Sequence, residues 1–239
     1  MELTTTGFRF RQFNIEQDRC AMKIGTDAVL LGAWVEVDGV QKALDVGTGT
    51  GVIAIMLAQR QPFLTVHGVE IDAQAQLQAS ENMQASPWSE RLEVFPGAIQ
   101  DYAQNCRETY DLIVSNPPFF TGGVFSESPD RQHVRHTVKL PHGDLLAACQ
   151  KLLAPKGTFA VVLPLLEGLR FVELARRYRF YCERMTEVHT KPGKPISRLL
   201  LQFKSEIPDI LRKDTLILQD DESNNRSEAY RALTGDFYL

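Results

Sequence analysis

The sequence predicts an α/β fold: a mostly parallel sheet of seven strands with helices on both faces, closed by a C-terminal antiparallel hairpin. Three observations lead there. Short apolar runs alternate with longer helix-like stretches, the pattern of repeated βαβ units. Three close-set glycines, Gly47, Gly49 and Gly51, end the first such run and open a helix. A turn cluster, Lys191-Pro192-Gly193-Lys194-Pro195, separates the last two runs and so makes them an antiparallel pair.

In chain order, Lys42 to Val46 reads as the first buried strand, and a helix follows the glycines through Gln59. Leu64 to Glu70 is the second strand. Ala73 to Ala85 is helical, mostly polar, with Ala75, Leu77, Ala79 and Met83 as apolar spots. Leu92 to Phe95 is a short strand. Tyr110 to Ser115 is another, and it stops at Asn116-Pro117-Pro118, because proline cannot donate to a ladder. His142 to Leu153 is an amphipathic helix through Leu145, Leu146, Cys149, Leu152 and Leu153, followed by a strand from Gly157 to Leu163. A helix over Glu167 to Tyr178 leads into the hairpin of Arg179 to Thr190 and Ser197 to Phe203. Upstream, Ala28 to Val35 is an apolar helix. The 239 residues read as one domain: a covering extension over 1–40, a core over 41–206 and an appendage over 207–239.

The composition narrows the class. At 44% hydrophobic and 23% charged the chain is globular, not disordered. Met1 to Thr6 has no basic start leading into an apolar run, and no stretch is long enough to cross a bilayer, so a cytoplasmic protein without membrane contact is expected. Cys20, Cys106, Cys149 and Cys182 are scattered without metal-ligand or disulfide-scaffold spacing, and no metal site is expected. The formal net charge of -4 argues against a non-specific polyanion binder. It leaves room for an enzyme whose basic residues gather on one face.

Glycines at a strand end let backbone approach a ligand closely, with N–H groups and a helix N-terminus beside it. A dinucleotide loop uses G-x-G-x-x-G. Here the spacing is G-x-G-x-G, and Val52 stands where the third glycine would fall. Asp45 would repel a pyrophosphate but suits a cation. S-adenosylmethionine carries an ammonium, a sulfonium and a carboxylate that the loop N–H groups could take. Glu70, at the end of the second strand, has the offset expected of a carboxylate on ribose hydroxyls. Together Asp45, Gly47, Gly49, Gly51 and Glu70 resemble motifs I and II of the Rossmann-like class I methyltransferases. By that resemblance Ile71, Ala98 and Ile99 would border the cofactor's adenine. Relatives with an acid at that turn leave two readings here, a backbone contact or a shifted Asp101. Thr26 and Asp27 could close over the methionine end, and Asp27 reads equally well as a helix N-terminal residue.

Ser115-Asn116-Pro117-Pro118-Phe119 follows the fourth strand on the ligand side of the sheet. Paired prolines stiffen the chain and remove two donors, leaving the Asn116 amide oxygen and the Pro117 carbonyl as fixed acceptors. An amino group conjugated to a ring is a poor nucleophile. Two acceptors that hold both of its hydrogens favour a pyramidal nitrogen with an available lone pair. Phe119 offers a face for a flat group, worth about 1–3 kcal/mol for a base. The turn resembles the N-P-P-[FY] signature of methyltransferases acting on adenine N6, guanine N2 or glutamine N5.

Three stretches carry a narrower resemblance: Phe10-Arg11-Gln12-Phe13 leading to Met22 through Asp27 and Leu31-Gly32-Ala33-Trp34, then Ser115 through Phe120, then Tyr230 through Leu239. They are similar to the bacterial family that methylates N6 of adenine 37, beside the anticodon, in a valine tRNA. That resemblance implies S-adenosylmethionine as cofactor, catalysis by Asn116, Pro117, Pro118 and Phe119, and a tRNA anticodon loop as partner of a monomeric enzyme. Arg131, Arg135, His136 and Lys139, just after the turn, and Lys191, Lys194 and Arg198, on the hairpin, are the candidate RNA contacts. Two other classes remain in view. A protein glutamine N5-methyltransferase usually has Tyr at the fourth motif position and a separate helical domain before the core. A ribosomal guanine N2-methyltransferase is chemically closer.

Overall fold

Residues 7–118, 140–221 and 225–238 are described in the computed structural model. The chain opens with a hairpin of two short strands, β1 (Phe8–Arg9) and β2 (Asn14–Ile15), and a helix, α1 (Thr26–Trp34). Then follow β3 (Lys42–Val46), α2 (Val52–Arg60), β4 (Thr65–Glu70), α3 (Ala73–Ala85), β5 (Leu92–Pro96), α4 (Ile99–Asn105) and β6 (Tyr110–Ser115). From residue 140 onward come α5 (His142–Leu152), β7 (Leu153–Pro164), α6 (Leu165–Arg177), β8 (Tyr181–His189), β9 (Ile196–Lys204), β10 (Arg212–Ile217) and α7 (Glu228–Thr234).

The large sheet runs β10-β8-β9-β7-β6-β3-β4-β5. Only β9 is antiparallel to its neighbours, β7 and β8, as the turn cluster predicted. The sheet has eight strands where seven were expected, because β10 adds in parallel to β8. Its Arg212, Lys213 and Asp214 side chains lie on the outer edge, where charge blocks further pairing. The short α4, the two-residue strands and α7 were also not read from the sequence. Among the described residues no helix is long and apolar enough to cross a membrane.

Alternation along each strand divides the core into two layers. Leu112, Val114, Ala160, Val162 and Leu200 face the layer of α1 and α2. Ile113, Phe159, Val161, Leu163, Leu199 and Leu201 face the layer of α4, α5 and α6. A helix packed on all sides needs no polar stripe, which explains why α1 is buried continuously from Ala28 to Trp34. Gly32 lets it approach α2 closely, since a Cβ there would lie 3.0 Å from the Met56 sulfur.

The chain's two ends meet. Phe10 stacks on Phe13 and on Tyr238, and the Arg11 amide donates to the Phe237 carbonyl at 2.8 Å.

The position of α2 decides where the glycine loop sits, and Arg91 fixes its lower end. The guanidinium donates to the carbonyls of Ala58 (2.8 Å), Gln61 (3.0 Å) and Leu64 (2.6 Å), in the last turn of α2 and the turn that follows it. Arg91→Ala should lower the unfolding free energy by about 2 kcal/mol, as expected for losing hydrogen bonds from a charged donor. Urea denaturation checks this. A change under about 0.5 kcal/mol would mean that water replaces the guanidinium.

Candidate active site

The strand order reverses direction between β3 and β6. From β3 the chain builds outward through β4 and β5, then returns to β6 and β7 on the other side. Ligands bind at such a switch point, outside the carboxyl ends of the strands. Val46 pairs with Ser115 across β3 and β6, and with Val69 across β3 and β4. The Ser115 hydroxyl donates to the Val46 carbonyl at 2.9 Å. The glycine loop and the Asn116-Pro117-Pro118 turn therefore leave adjacent strands side by side.

The loop needs its glycines. Gly47, Gly49 and Gly51 have φ of 69°, 57° and 81°, a region that costs other residues roughly 1–2 kcal/mol each. A Cβ on Gly47 or Gly49 would meet nothing within 4 Å, so the loop borders open space. Its N–H groups are used differently from the sequence expectation. Gly47 and Thr48 donate to the Val69 carbonyl (2.9 and 3.2 Å), Gly51 to the Thr48 carbonyl (2.9 Å), and Gly49 to Glu70 Oε2 (2.9 Å). These four amides are not left over for a ligand's carboxylate, because the tight turn folds them back onto β4 and onto itself.

Asp45 is fully buried. Its Oδ2 accepts from the Thr48 hydroxyl at 2.6 Å, while Oδ1 has no hydrogen-bond partner. Burial drives its pKa up to about 7; the Thr48 hydroxyl and the Ala54 amide pull it down, and the Glu70 carboxylate adds to the rise. Glu70 is also buried, but both of its oxygens are occupied: Oε2 by Gly49 and Oε1 by the Asp72 amide at 3.0 Å. Thr48 is a site residue that sequence reasoning missed; its only signal is a hydroxyl three residues after the acid.

Asn116 is half-buried, and its Oδ1 is shielded from solvent without a partner. Pro117 is buried and Pro118 half-buried. Phe119, Arg131, Arg135, His136 and Lys139 lie outside the described residues. Ile71 is 54% exposed just past Glu70, an apolar side chain at the rim. Ala98 is the N-cap of α4, Ile99 is buried beneath it, and Asp101 points to solvent from the first turn.

Two expected contacts turn out to be made with each other. Asp27 Oδ2 accepts from Arg198 Nε at 2.8 Å, so the candidate cofactor residue and the candidate RNA residue form an ion pair. The reason is topological: β9 runs against β7 with Arg198 opposite Pro164, which brings Arg198 to the start of α1. Asp27 sits in the first turn of α1, whose N-cap is Gly25, and Thr26 is exposed. The same antiparallel pairing places the hairpin tip, with half-buried Lys191 and exposed Lys194, at the site end of the sheet.

A glycine-lined crevice at the switch point, flanked by a rigid Asn-Pro-Pro turn, defines a methyltransferase of the Rossmann-like type. Residues 20–165 match the methyltransferase small domain family. The chain is 46% identical over 235 residues to a protein of Trichodesmium erythraeum (strain IMS101), covering 97% of each. It is 43% identical over 243 residues to one of Dickeya chrysanthemi (strain Ech1591), covering 99% of this chain and 96% of that protein. Both relatives are named tRNA1(Val) (adenine(37)-N6)-methyltransferase, and the chain belongs to their family. A solved structure from Agrobacterium tumefaciens, described as a predicted O-methyltransferase, shares the fold. It has a TM-score of 0.69 at 18% identity, covering 88% of this chain and 96% of that one.

The state of Asp45 can be read from stability. Its raised folded pKa means that the native chain holds a proton the unfolded chain releases, so its contribution is fullest below the unfolded value near 4 and is lost as pH rises through about 7. Asp45→Asn removes this dependence. Relative to the wild type, the variant should gain about 2–3 kcal/mol of unfolding free energy between pH 5 and pH 8. Parallel urea melts at the two pH values test it, and a pH-independent difference would place the Asp45 pKa outside that interval.

Proposed function

We propose that the chain transfers a methyl group from S-adenosylmethionine to the exocyclic N6 of an adenine in tRNA, adenine 37 of a valine tRNA. The observation that carries this reading is a pair of shielded acceptors without partners, Asp45 Oδ1 and Asn116 Oδ1, on the carboxyl-end side of neighbouring strands.

The crevice fits the donor. Asp45 Oδ1 offers a cation the partner it lacks, and the space beside Gly47 and Gly49 admits a ligand where a Cβ would intrude. Glu70, held by two amides, keeps lone pairs for ribose hydroxyls, and exposed Ile71 with buried Ile99 supplies an apolar border for adenine. Bound there, S-adenosylmethionine supplies an electrophilic methyl on a positive sulfur. Asn116 Oδ1 and the Pro117 carbonyl would accept hydrogen bonds from the two N–H groups of the target amine and direct its lone pair at that methyl. Phe119 stacks on the base. As the N–C bond formed, the S–C bond would break, leaving neutral S-adenosylhomocysteine and a cationic nitrogen whose proton passes to water, so no strong base is required. Turning the adenine outward costs a few kcal/mol, less in an anticodon loop already splayed.

Lys191 and Lys194, with Arg131, Arg135, His136 and Lys139, meet the phosphates of the loop. Arg198 joins them through its neighbours and not directly, because Asp27 neutralises it. The enzyme works as a monomer in the cytoplasm, where its tRNA is.

Labelled S-adenosylmethionine incubated with total tRNA, ribosomal RNA or release-factor protein separates the three classes. Label recovered as N6-methyladenosine at position 37 of valine tRNA is expected; label only in protein, or only in N2-methylguanosine, overturns the proposal. Asn116→Ala should lower kcat by roughly 100-fold, as for one preorganised polar group in a site, while cofactor affinity measured by calorimetry stays within about twofold. Equal loss of both would assign Asn116 to cofactor binding instead.

A further inference from the structure

Two carboxamides on α3 make bonds out of keeping with a polar helix surface. Gln78 and Asn82 stand one turn apart, and both are buried. Asn82 accepts from the Glu16 amide and donates to the Glu16 carbonyl, both at 2.9 Å, a two-way bond to one residue of the segment leading to α1. Its remaining N–H donates to the Thr50 carbonyl in the glycine loop, also at 2.9 Å. Gln78 accepts from the Arg19 amide at 2.9 Å and donates to Asp18 Oδ1 at 2.6 Å. An ion pair between Arg19 and Glu81 adds a third tie to α3.

The path of this segment gives the clasp its meaning. From Glu16 it climbs α3 past Gln78 to Cys20, then turns through Lys23 and Gly25 into α1. Cys20 is 8% exposed. Burial raises its thiol to about pKa 11, and the Glu70 and Asp72 carboxylates reinforce the rise. One helix thus holds both the segment and the glycine loop through the same side chain, Asn82.

We propose that Asn82 and Gln78 are positioning residues for the methyl donor: they clasp residues 16–24 across the crevice, and Asn82 in addition locks the glycine loop, so that α3 sets how long the donor stays. The proposal rests on S-adenosylmethionine occupying the crevice. Neither amide touches the donor or the RNA. The carboxamide is required because the task needs an acceptor and donors on one planar group; leucine would fill the space and make none of the bonds.

Donor binding by calorimetry, donor release by stopped flow, and N-ethylmaleimide labelling of Cys20 located by peptide mass spectrometry test it. In the wild type, S-adenosylhomocysteine should slow Cys20 labelling. Asn82→Ala should raise the donor Kd and release rate about tenfold, the scale of one or two lost hydrogen bonds, and should speed labelling by a similar factor. At saturating donor its kcat stays near wild type, so the loss falls on KM. Asn82→Asp keeps only the acceptor and should behave like alanine. Gln78→Ala, which leaves the loop untouched, should speed labelling and raise the donor Kd by a smaller factor, about threefold. Wild-type donor binding and labelling in folded Asn82→Ala and Gln78→Ala would overturn the proposal. So would a wild type that binds S-adenosylhomocysteine with no change at Cys20, a result that needs no variant to fold. A wild type that binds neither the donor nor its product would instead overturn the reading of the crevice.

Discussion

The pairing of Val46 with Ser115 governs this molecule's chemistry. It puts a flexible, glycine-rich turn and a stiff, proline-bound turn at the same height on adjacent strands, and the Ser115 hydroxyl ties them at the last rung. A slip by one residue would carry every side chain of β6 to the opposite face. The core forbids it: Leu112 and Val114 belong to one apolar layer and Ile113 to the other. The register that buries the strands is therefore also the register that aligns the Asn116-Pro117-Pro118 turn with the glycine loop. Stability and site geometry are one constraint.

The two acids of the crevice show how environment divides like groups. Glu70 ends its strand with two backbone amides on its carboxylate and is thereby fixed. Asp45 lies one strand over, with the Thr48 hydroxyl on one oxygen and the Ala54 amide as a second, weaker donor. Its pKa near 7 follows from full burial, which these donors offset only in part. A cation arriving at Asp45 meets a group that gains more from it than a solvated carboxylate would. An acidic chain serving RNA becomes intelligible on the same footing. Asp45 and Glu70 lie at the carboxyl ends of β3 and β4, while Lys191 and Lys194 stand on the hairpin tip at the same end of the sheet.

Where the pattern was one of burial, the sequence disclosed it: the bounds of β3, α3 and β6 agree with the runs at Lys42 to Val46, Ala73 to Ala85 and Tyr110 to Ser115. The elements that escaped are those held by something other than an apolar face. The strand β10 carries charges on an exposed edge and buries only Leu216 well, so it has no period to detect. Gln78 and Asn82 looked like solvated surface because a polar residue's burial depends on a partner distant in sequence. The loop amides were misassigned for a related reason. Glycine spacing reveals that backbone will come close to something, and here much of that something is β4 and Glu70.

The ion pair of Asp27 and Arg198 has its place in the same device as the α3 clasp. The segment over the crevice is fastened at its start by the aromatic contact between the chain ends, where Ile15 of β2 runs directly into Glu16. It is fastened at its finish where α1 begins, and there Asp27 reaches across to β9. Asp27, expected at the donor, and Arg198, expected at phosphates, bond to each other in the structure. Their pairing joins the start of α1 to β9. The stretches near the two ends of the chain pack on each other through Phe10 and Tyr238. They supply the anchors between which the cover is stretched, and a cover is only as firm as its anchors.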